Sequence, residues 1–558
     1  MLTKVNLFFI LLFVINTATK SQTNDKYYIQ LADKTGTPYS IANPSQFLSQ
    51  RAIQRRANQN ISINETDLPV NPNYITQIAN TGATVFYSIK WFNGVVVQAP
   101  TLAILNAINA LPFVVSNTVV NIQRPIKSFE KISDLVIAPE KSSNVNSIYN
   151  YGNSLNQIQM LNGVCMHDAG YNGSGMTIAV LDAGFANADT HPAFDSLRAH
   201  NQILGTKDFT FISPLNLYAS TTDGHGTAVL GTMGGNLPGQ LVGTAPKANY
   251  WLLRSEYGPT EYIIEEYNWA AAAEFADSVG ADIINSSLGY NTFNNPAQDH
   301  TMSQLNGKTS IASKAATMCA RKGMIVCNSA GNSGGTGWPL ICFPADADSI
   351  ITVGGVDAAQ SFANFSSTGP TTDGRIKPDV VAQAVGSVIA TSNGTIGTAS
   401  GTSFSSPITA GMVACLWQAA PTKTNMEIIQ AIKQSASLYT TPNNQFGYGI
   451  PDYCAAKNNL LGINTKNNTT SITLASANPF KNEIKLNILL PDTKIVVIEI
   501  VDLLGQIVYK NEISLSAHTQ LQYTINTGVL SVGVYSLSVY STEKSNPIRF
   551  ITKLVKAD

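Results

Sequence analysis

Four short polar motifs in this chain carry the groups that a nucleophilic serine requires. A serine hydroxyl attacks a carbonyl carbon only when a base takes its proton and hydrogen-bond donors stabilise the oxyanion that forms. Ser403, within Gly401-Thr402-Ser403-Phe404, is the candidate nucleophile. Upstream of it stand, in this order, a carboxylate, an imidazole and an amide, which we predict to be the orienting group Asp182, the general base His225 and the oxyanion-hole donor Asn332.

The predicted elements place these groups where strands end and helices begin. Asp182 closes the apolar run 178–181, which is typical of a buried parallel strand. Small and apolar residues follow both His225 and Ser403 and predict a helix starting at each, with Pro407 in the first turn of the second helix. The free N–H groups of that turn can stabilise an oxyanion together with the amide. The pattern therefore predicts a reactive site at the strand ends of an open α/β sheet.

From residue 151 to residue 461 the chain resembles the catalytic domain of the subtilisin (subtilase) family of serine endopeptidases. The order Asp, His, Ser is the subtilisin order. The resemblance implies an α/β domain with a doubly wound, mostly parallel sheet, and peptide-bond hydrolysis through an acyl-enzyme on Ser403. It extends to five further motifs: Gly243-Thr244-Ala245-Pro246, Asn285-Ser286-Ser287-Leu288-Gly289, Val353-Gly354-Gly355-Val356, Phe365-Ser366-Ser367-Thr368-Gly369-Pro370 and Lys377-Pro378-Asp379.

The resemblance also implies how a substrate binds. In the family, the segment equivalent to Ser287, Leu288 and Gly289 pairs with an extended peptide as an added strand. Ala330 and Gly331 would flank the pocket for the residue that precedes the scissile bond, and by register Cys342 falls near the floor of this pocket. The alternative is that these segments are only tight strand exits.

One departure from the family pattern bears on cofactors. Many subtilisins carry a calcium-ligating aspartate at the position after His191-Pro192, where this chain has Ala193. We therefore expect no cofactor, and in particular no calcium at this position. Calcium bound elsewhere is the alternative.

Length and composition bound the remaining possibilities. A chain of 558 residues is too long for one compact domain. A net charge of -1, without a basic stripe, argues against nucleic acid or an anionic membrane surface as a partner. The chain contains no run of about 18 apolar residues, so we expect no transmembrane anchor. We expect a monomer that acts on proteins or peptides.

The N-terminal region contains a predicted targeting segment and a small domain. Lys4 precedes an apolar stretch that is too short to span a bilayer, so residues 1–21 are predicted to be a secretory signal peptide; a buried helix is the alternative. Residues 22–125 alternate short strand and helix patterns, as in a small α+β domain. By resemblance this is an inhibitory pro-segment, and residues 126–150 are a linker to the catalytic domain at 151–462. A mere accessory domain is the alternative.

The six cysteines lack the spacing of a metal site and are too few for a disulfide scaffold. Export permits disulfides. Cys327 and Cys342 bracket the Asn332 loop and are the first candidate pair, with two buried free thiols as the alternative.

After residue 462 the composition changes to β-rich alternation, which predicts a small antiparallel β-sandwich over residues 463–558. A substrate-binding β-module is one interpretation. The segments at 478–480, 497–506 and 533–539 instead resemble C-terminal sorting domains of proteins exported by the type IX secretion system. That resemblance implies the secretion machinery as a partner and a secreted or cell-surface enzyme.

Two functions from different classes are consistent with these patterns. The first is a secreted serine endopeptidase. The second is a catalytically inactive relative that serves as an adhesin or binding module. Inactive relatives usually lose the nucleophile, the base or the carboxylate, whereas this chain keeps all three.

Overall fold

The computed structural model describes residues 25–121, 147–211, 216–462, 471–490, 494–515, 521–541 and 549–558. The chain divides into two compact units, Met1–Leu461 and Gly462–Asp558. The predicted signal peptide and positions 126–146 of the predicted linker lie outside the described residues. No helix among the described residues is long and apolar enough to cross a membrane.

The first unit begins with a small α+β lobe, residues 25–121, called the N-terminal lobe below. Its four strands form an antiparallel sheet in the order β2-β3-β1-β4. Successive side chains of a strand point to opposite faces, so Val95 and Val97 pack on the lobe's own helices while Val96 packs on the next domain. The elements are β1 (Lys26–Leu31), α1 (Gln50–Asn58), α2 (Pro72–Asn80), β2 (Thr84–Ile89), β3 (Gly94–Gln98), α3 (Leu102–Asn109) and β4 (Val114–Asn121).

The rest of the unit, from residue 147 to residue 461, is an α/β domain built on a seven-stranded parallel sheet. The strand order is β13-β12-β11-β10-β5-β9-β6. Its elements are α4 (Leu155–Gln159), α5 (Gly163–Asp168), β5 (Thr177–Asp182), α6 (Asp195–Ala199), β6 (Ile203–Asp208), α7 (His225–Gly234), β7 (Asn236–Leu237), β8 (Leu241–Val242), β9 (Asn249–Arg254), α8 (Ile264–Val279), β10 (Ile283–Ser286), α9 (Ile311–Arg321), β11 (Ile325–Ser329), β12 (Ile351–Val356), β13 (Val380–Gln383), β14 (Ser387–Ala390), β15 (Ile396–Ala399), α10 (Thr402–Ala419), α11 (Asn425–Ser435) and α12 (Tyr453–Leu460).

Helices cover both faces of this sheet, which explains the unbroken apolar runs of its strands. Val180 faces the core formed with α7 and α10, and Leu181, the next residue, faces the core formed with α8 and α9. The strand order turns at β5, because β9 and β6 lie on one side of it and β10 to β13 on the other. Ligands of open α/β sheets bind beyond the carboxyl ends of strands at such a point. The predicted fold class is confirmed.

Helix α10 begins at Thr402, one residue before Ser403, and is buried over most of its length. The prediction that Pro407 lies in its first turn is wrong, since this proline lies inside the helix, more than one turn from its start.

The predicted first candidate for a disulfide is also wrong. Cys327 and Cys342 are both buried free thiols, which was the alternative. Cys327 points from β11 into the core against α10, whereas Cys342 lies in a loop beyond the end of that strand. The disulfide joins Cys165 of α5 to Cys454 of α12, 289 residues apart.

The second unit is an antiparallel β-sandwich, as predicted. Its two sheets have the strand orders β16-β17-β20 and β19-β18-β21-β22. Every second residue of β17 and β18 enters one shared core, including Leu486 and Ile498. The strands are β16 (Ser471–Leu474), β17 (Glu483–Leu489), β18 (Lys494–Val501), β19 (Ile507–Leu515), β20 (Leu521–Asn526), β21 (Gly533–Ser541) and β22 (Arg549–Lys556).

Candidate active site

Asp182 and His225, the predicted carboxylate and base, are in direct contact. Asp182 is the last residue of β5 and is fully buried, and His225 is the first residue of α7. The imidazole Nδ1 lies 2.9 Å from Asp182 Oδ1, which also accepts a hydrogen bond from the Ala183 N–H at 2.8 Å. A carboxylate at Nδ1 holds the proton there, so that Nε2 is the basic nitrogen of the neutral ring. The His225 side chain is 26 % exposed, so a substrate can reach it.

Two glycines, one after His225 and one in the loop after Asp182, allow this contact. The Gly226 N–H donates to the Gly184 carbonyl at 3.0 Å, which brings the first turn of α7 against the loop after β5. A Cβ at Gly226 would lie 2.4 Å from that carbonyl oxygen, and a Cβ at Gly184 would lie 2.6 Å from the Asp223 carbonyl oxygen. No real Cβ tolerates such a distance from backbone, so only glycine fits at either position.

Ser403 is the second residue of α10 and is 8 % exposed. The next side chain, Phe404, brings its ring to 6.1 Å from the His225 ring, which places the start of α10 beside the start of α7. The Ser287 hydroxyl donates to the Ser403 carbonyl at 2.8 Å, and the Ser406 hydroxyl donates to Asn285 Oδ1 at 3.0 Å. These bonds hold the first turn of α10 against the end of β10.

Asn332 is anchored beside Ser403, the predicted nucleophile. Its Oδ1 accepts from both the backbone N–H and the hydroxyl of Thr402, at 2.8 and 2.9 Å. The carbonyl end of the amide is thereby occupied, and the Nδ2 donors remain for another acceptor. Because Thr402 directly precedes Ser403, the amide is fixed relative to the serine.

The predicted substrate-binding residues lie at two adjacent strand exits. Ser287, Leu288 and Gly289 follow β10, and Ala330 and Gly331 follow β11, which pairs with β10 in parallel. Ser287 and Leu288 are buried, and Gly289 is exposed. Gly331 has φ 111°, a left-handed conformation that favours glycine.

Three positioning residues were not singled out by the sequence analysis. They are Thr402, which holds Asn332, and the pair Asn285 and Ser406, which joins β10 to α10. All three stand inside or next to the quoted motifs. The signal in the sequence is that they are polar residues in otherwise apolar elements. Only their contacts show which groups they position.

The position expected to lack a calcium ligand offers no side-chain oxygen. Ala193 is fully buried in the apolar core with Phe194 and Leu197. Among the residues that the structure describes, no three His, Cys, Asp or Glu side chains come together as metal ligands.

Buried ion pairs join the N-terminal lobe to the α/β domain. Arg55 and Arg56 of α1 both contact the carboxylate of Asp277 on α8, and the Arg56 distance is 2.7 Å. Arg56 also pairs with Asp67 of the lobe at 2.8 Å, and Asp67 pairs with Lys322 of the α/β domain at 2.8 Å. All five side chains are at most 4 % exposed. We call the surface of α8, α9 and Lys322 that contacts the lobe the lobe-binding face.

Glu274 lies on the same face under the loop after β2. Its Oε2 accepts from the Trp91 N–H at 3.1 Å. Burial raises the pKa of Glu274 to about 7, although Lys90, Lys34 and backbone donors near Trp91 favour its charged form.

Three protein-family models match this chain. They are the Subtilase family over residues 173–449, the Peptidase S8 propeptide domain, Bacteroidota, over residues 26–134, and the Secretion system C-terminal sorting domain over residues 477–553.

Curated relatives match the α/β region. Subtilisin BL of Lederbergia lenta is 31% identical over 297 residues, which are 52% of this chain and 93% of that protein. Subtilisin E of Bacillus subtilis is 29% identical over 298 residues, which are 52% of this chain and 68% of that protein. Among solved structures, the self-cleaved protease domain of PatA aligns with a TM-score of 0.41 and 22% identity over 52% of this chain and 98% of that chain.

Proposed function

Because this chain belongs to the subtilase family of serine endopeptidases, we propose that Ser403 is its nucleophile, His225 its general base and acid, Asp182 the group that orients His225, and Asn332 a donor of the oxyanion hole. The chain is a secreted or cell-surface enzyme with a propeptide and a type IX sorting domain. Its substrates are peptides and its sorting domain engages the secretion machinery.

The proposed reaction begins with proton transfer. His225 Nε2 takes the Ser403 hydroxyl proton as Oγ attacks the peptide carbonyl carbon, and the buried Asp182 carboxylate stabilises the imidazolium that forms. The oxyanion of the tetrahedral intermediate accepts bonds from Asn332 Nδ2 and from N–H groups at the start of α10. In subtilisin itself, one such side-chain donor contributes about 2.7–4 kcal/mol to transition-state stabilisation.

The second half of the reaction returns the proton. The imidazolium gives it to the leaving amine, which departs and leaves an acyl group on Ser403. Water then attacks this ester with His225 again as the base, and the acid product and free serine are released. No atom outside the chain, the peptide and water is required.

The observation that carries the proposal is the double anchoring of the groups around Ser403. The His225 imidazole is held by Asp182 at 2.9 Å, and the Asn332 amide is held by Thr402 at 2.8 Å. Asp182 stands at the end of β5, and Asn332 follows the end of β11. We further propose that the N-terminal lobe inhibits the enzyme until it is cut away. The buried charge pairs on the lobe-binding face support a tight complex.

Labelling with a phosphonofluoridate tests the assignment. We expect one label per processed molecule, on Ser403, and we expect Ser403→Ala to abolish both labelling and removal of the N-terminal lobe, because the alkoxide can no longer form. Ser405→Ala, two residues along the same helix, is the matched control and should still be labelled.

Mass spectrometry gives the stoichiometry and the labelled residue. A processed, folded wild-type protein that takes up no label would instead favour the inactive binding module. Normal removal of the lobe from Ser403→Ala would show that another protease cuts it.

A further inference from the structure

Cys342 fills the space between the two strand exits proposed to bind substrate. A Cβ built on Gly331 would lie 2.9 Å from the Ser367 Oγ and 3.1 Å from the Cys342 Sγ. A Cβ built on Gly289 would lie 2.9 Å from the Cys342 Cβ and 3.8 Å from its Sγ. The thiol therefore sits where both glycines have no side chain, with one exit on either side of it. Cys342 itself is 6 % exposed.

This space adjoins the reacting serine. Gly331 directly precedes Asn332, and its N–H donates to the Thr402 hydroxyl at 3.2 Å. On the other side, Gly289 lies two residues after Ser287, whose hydroxyl bonds to the Ser403 carbonyl. In the proposed function the peptide carbonyl lies between Ser403 and the oxyanion donors. The resemblance to the family then implies that the side chain preceding the scissile bond enters the gap between these glycines.

The thiol cannot easily move out of this gap, because backbone bonds to both exits fix its segment. The Cys342 N–H donates to the Ala330 carbonyl at 3.2 Å. The next residue, Phe343, exchanges two backbone hydrogen bonds with Tyr290 at 2.8 and 3.0 Å, and the centroids of the Phe343 and His300 rings lie 4.3 Å apart. The segment of Cys342 and Phe343, which forms the floor of the gap, is therefore packed against both strand exits.

The floor is also uncharged. Burial, with a contribution from Glu261, raises the pKa of the Cys342 thiol to about 12, so it is a neutral thiol at physiological pH. A neutral and weakly polar side chain offers no partner to a charged or strongly polar group.

We propose that Cys342 sets the depth of the pocket for the residue before the scissile bond and restricts it to small, uncharged side chains. This inference rests on the proposed function and adds the substrate class to it. Alanine, with a single methyl group, fits above the thiol. Leucine and phenylalanine would have to displace Cys342 from between Gly289 and Gly331.

Four peptide substrates that differ only in this residue, as Ala, Val, Leu or Phe, test the proposal on the processed enzyme. We expect the wild-type kcat/KM to fall in that order. Cys342→Gly should raise kcat/KM for the Phe and Leu peptides by about 10- to 200-fold, the range that one or a few carbon atoms contribute in an apolar pocket, and should change the Ala peptide little. Cys342→Ser keeps the volume and is the matched control, so it should keep the wild-type order.

Two controls separate the possible failures. Phosphonofluoridate labelling of Ser403 and the thermal unfolding midpoint report whether Cys342→Gly is folded and reactive; if it is not, Cys342→Ala, which also shortens the side chain, takes its place in the same substrate series. A wild-type enzyme that cleaves the Phe peptide as fast as the Ala peptide would overturn the proposal, as would an unchanged ratio in a variant that is labelled normally. Failure of the proposed function itself looks different, because then no peptide is cleaved and the wild type takes no label.

Discussion

The active site and the lobe-binding face are held together by different kinds of contact. Around Ser403 the contacts are hydrogen bonds among hydroxyl, amide and backbone groups of one domain, and Asp182 is the buried carboxylate that contacts His225. The lobe-binding face instead buries arginine, lysine and aspartate pairs that come from both partners.

This difference has a consequence for activation. The active-site contacts lie within the α/β domain and persist when the N-terminal lobe is removed. The charges of the lobe-binding face lose their partners at that moment and return to water. We therefore expect charge substitutions and pH to act on release of the lobe far more than on the geometry of the site.

The largest expected effect is on the ion pair between Arg55 and Asp277. Arg55→Ala leaves a buried carboxylate with one partner fewer, and breaking a buried pair costs about 3–5 kcal/mol, or about 100- to 5000-fold in affinity. The inhibition constant of the lobe added to processed enzyme measures this.

Gln54→Ala, an exposed change on the same helix, is the control and should leave the inhibition constant unchanged. Both substitutions are in the lobe, and the processed enzyme lacks it. The cleavage rate of this enzyme without added lobe is therefore the same in both experiments. A weakening by Arg55→Ala no greater than that by Gln54→Ala would contradict the contrast between the two regions.

A smaller effect is expected from the titration of Glu274. In the complex its pKa is raised to about 7, and in water an ordinary glutamate titrates near 4.5, so the complex holds a proton that the separated domains release between these values. Binding of the lobe should thus be strongest below about pH 4.5 and weaken as pH rises through about 7, by on the order of 100-fold.

Glu274→Gln cannot ionise and should flatten this dependence while leaving the pH profile of peptide cleavage unchanged. Inhibition constants measured from pH 4.5 to pH 8 on both proteins provide the test. If the wild type and Glu274→Gln give parallel curves, another group carries the titration.

The smallest expected effect is that of a chelator. Because Ala193 offers no ligand oxygen, EDTA should leave both the cleavage rate and the thermal unfolding midpoint of the processed enzyme unchanged. Inactivation by EDTA that added calcium reverses would show that calcium binds elsewhere in the chain and stabilises the active-site region.

The sequence was most informative where function depends on short segments. The strand before Asp182 and the helices that start at His225 and Thr402 are visible in local runs of apolar and small residues. Gly226 belongs to the His225 motif because the backbone carbonyl of Gly184 approaches too closely for any Cβ. Such constraints act within a few residues, so they leave a readable pattern.

The sequence by itself therefore determined the α/β class, the chemical groups available for catalysis and their order along the chain. Only the tertiary structure decided which distant residues meet: Cys165 with Cys454 and not Cys327 with Cys342, Thr402 with Asn332, and Arg55 with Asp277. The physical reason is that each of these contacts joins segments tens to hundreds of residues apart. Their approach depends on how helices pack on both faces of one sheet, and no local periodicity encodes that packing.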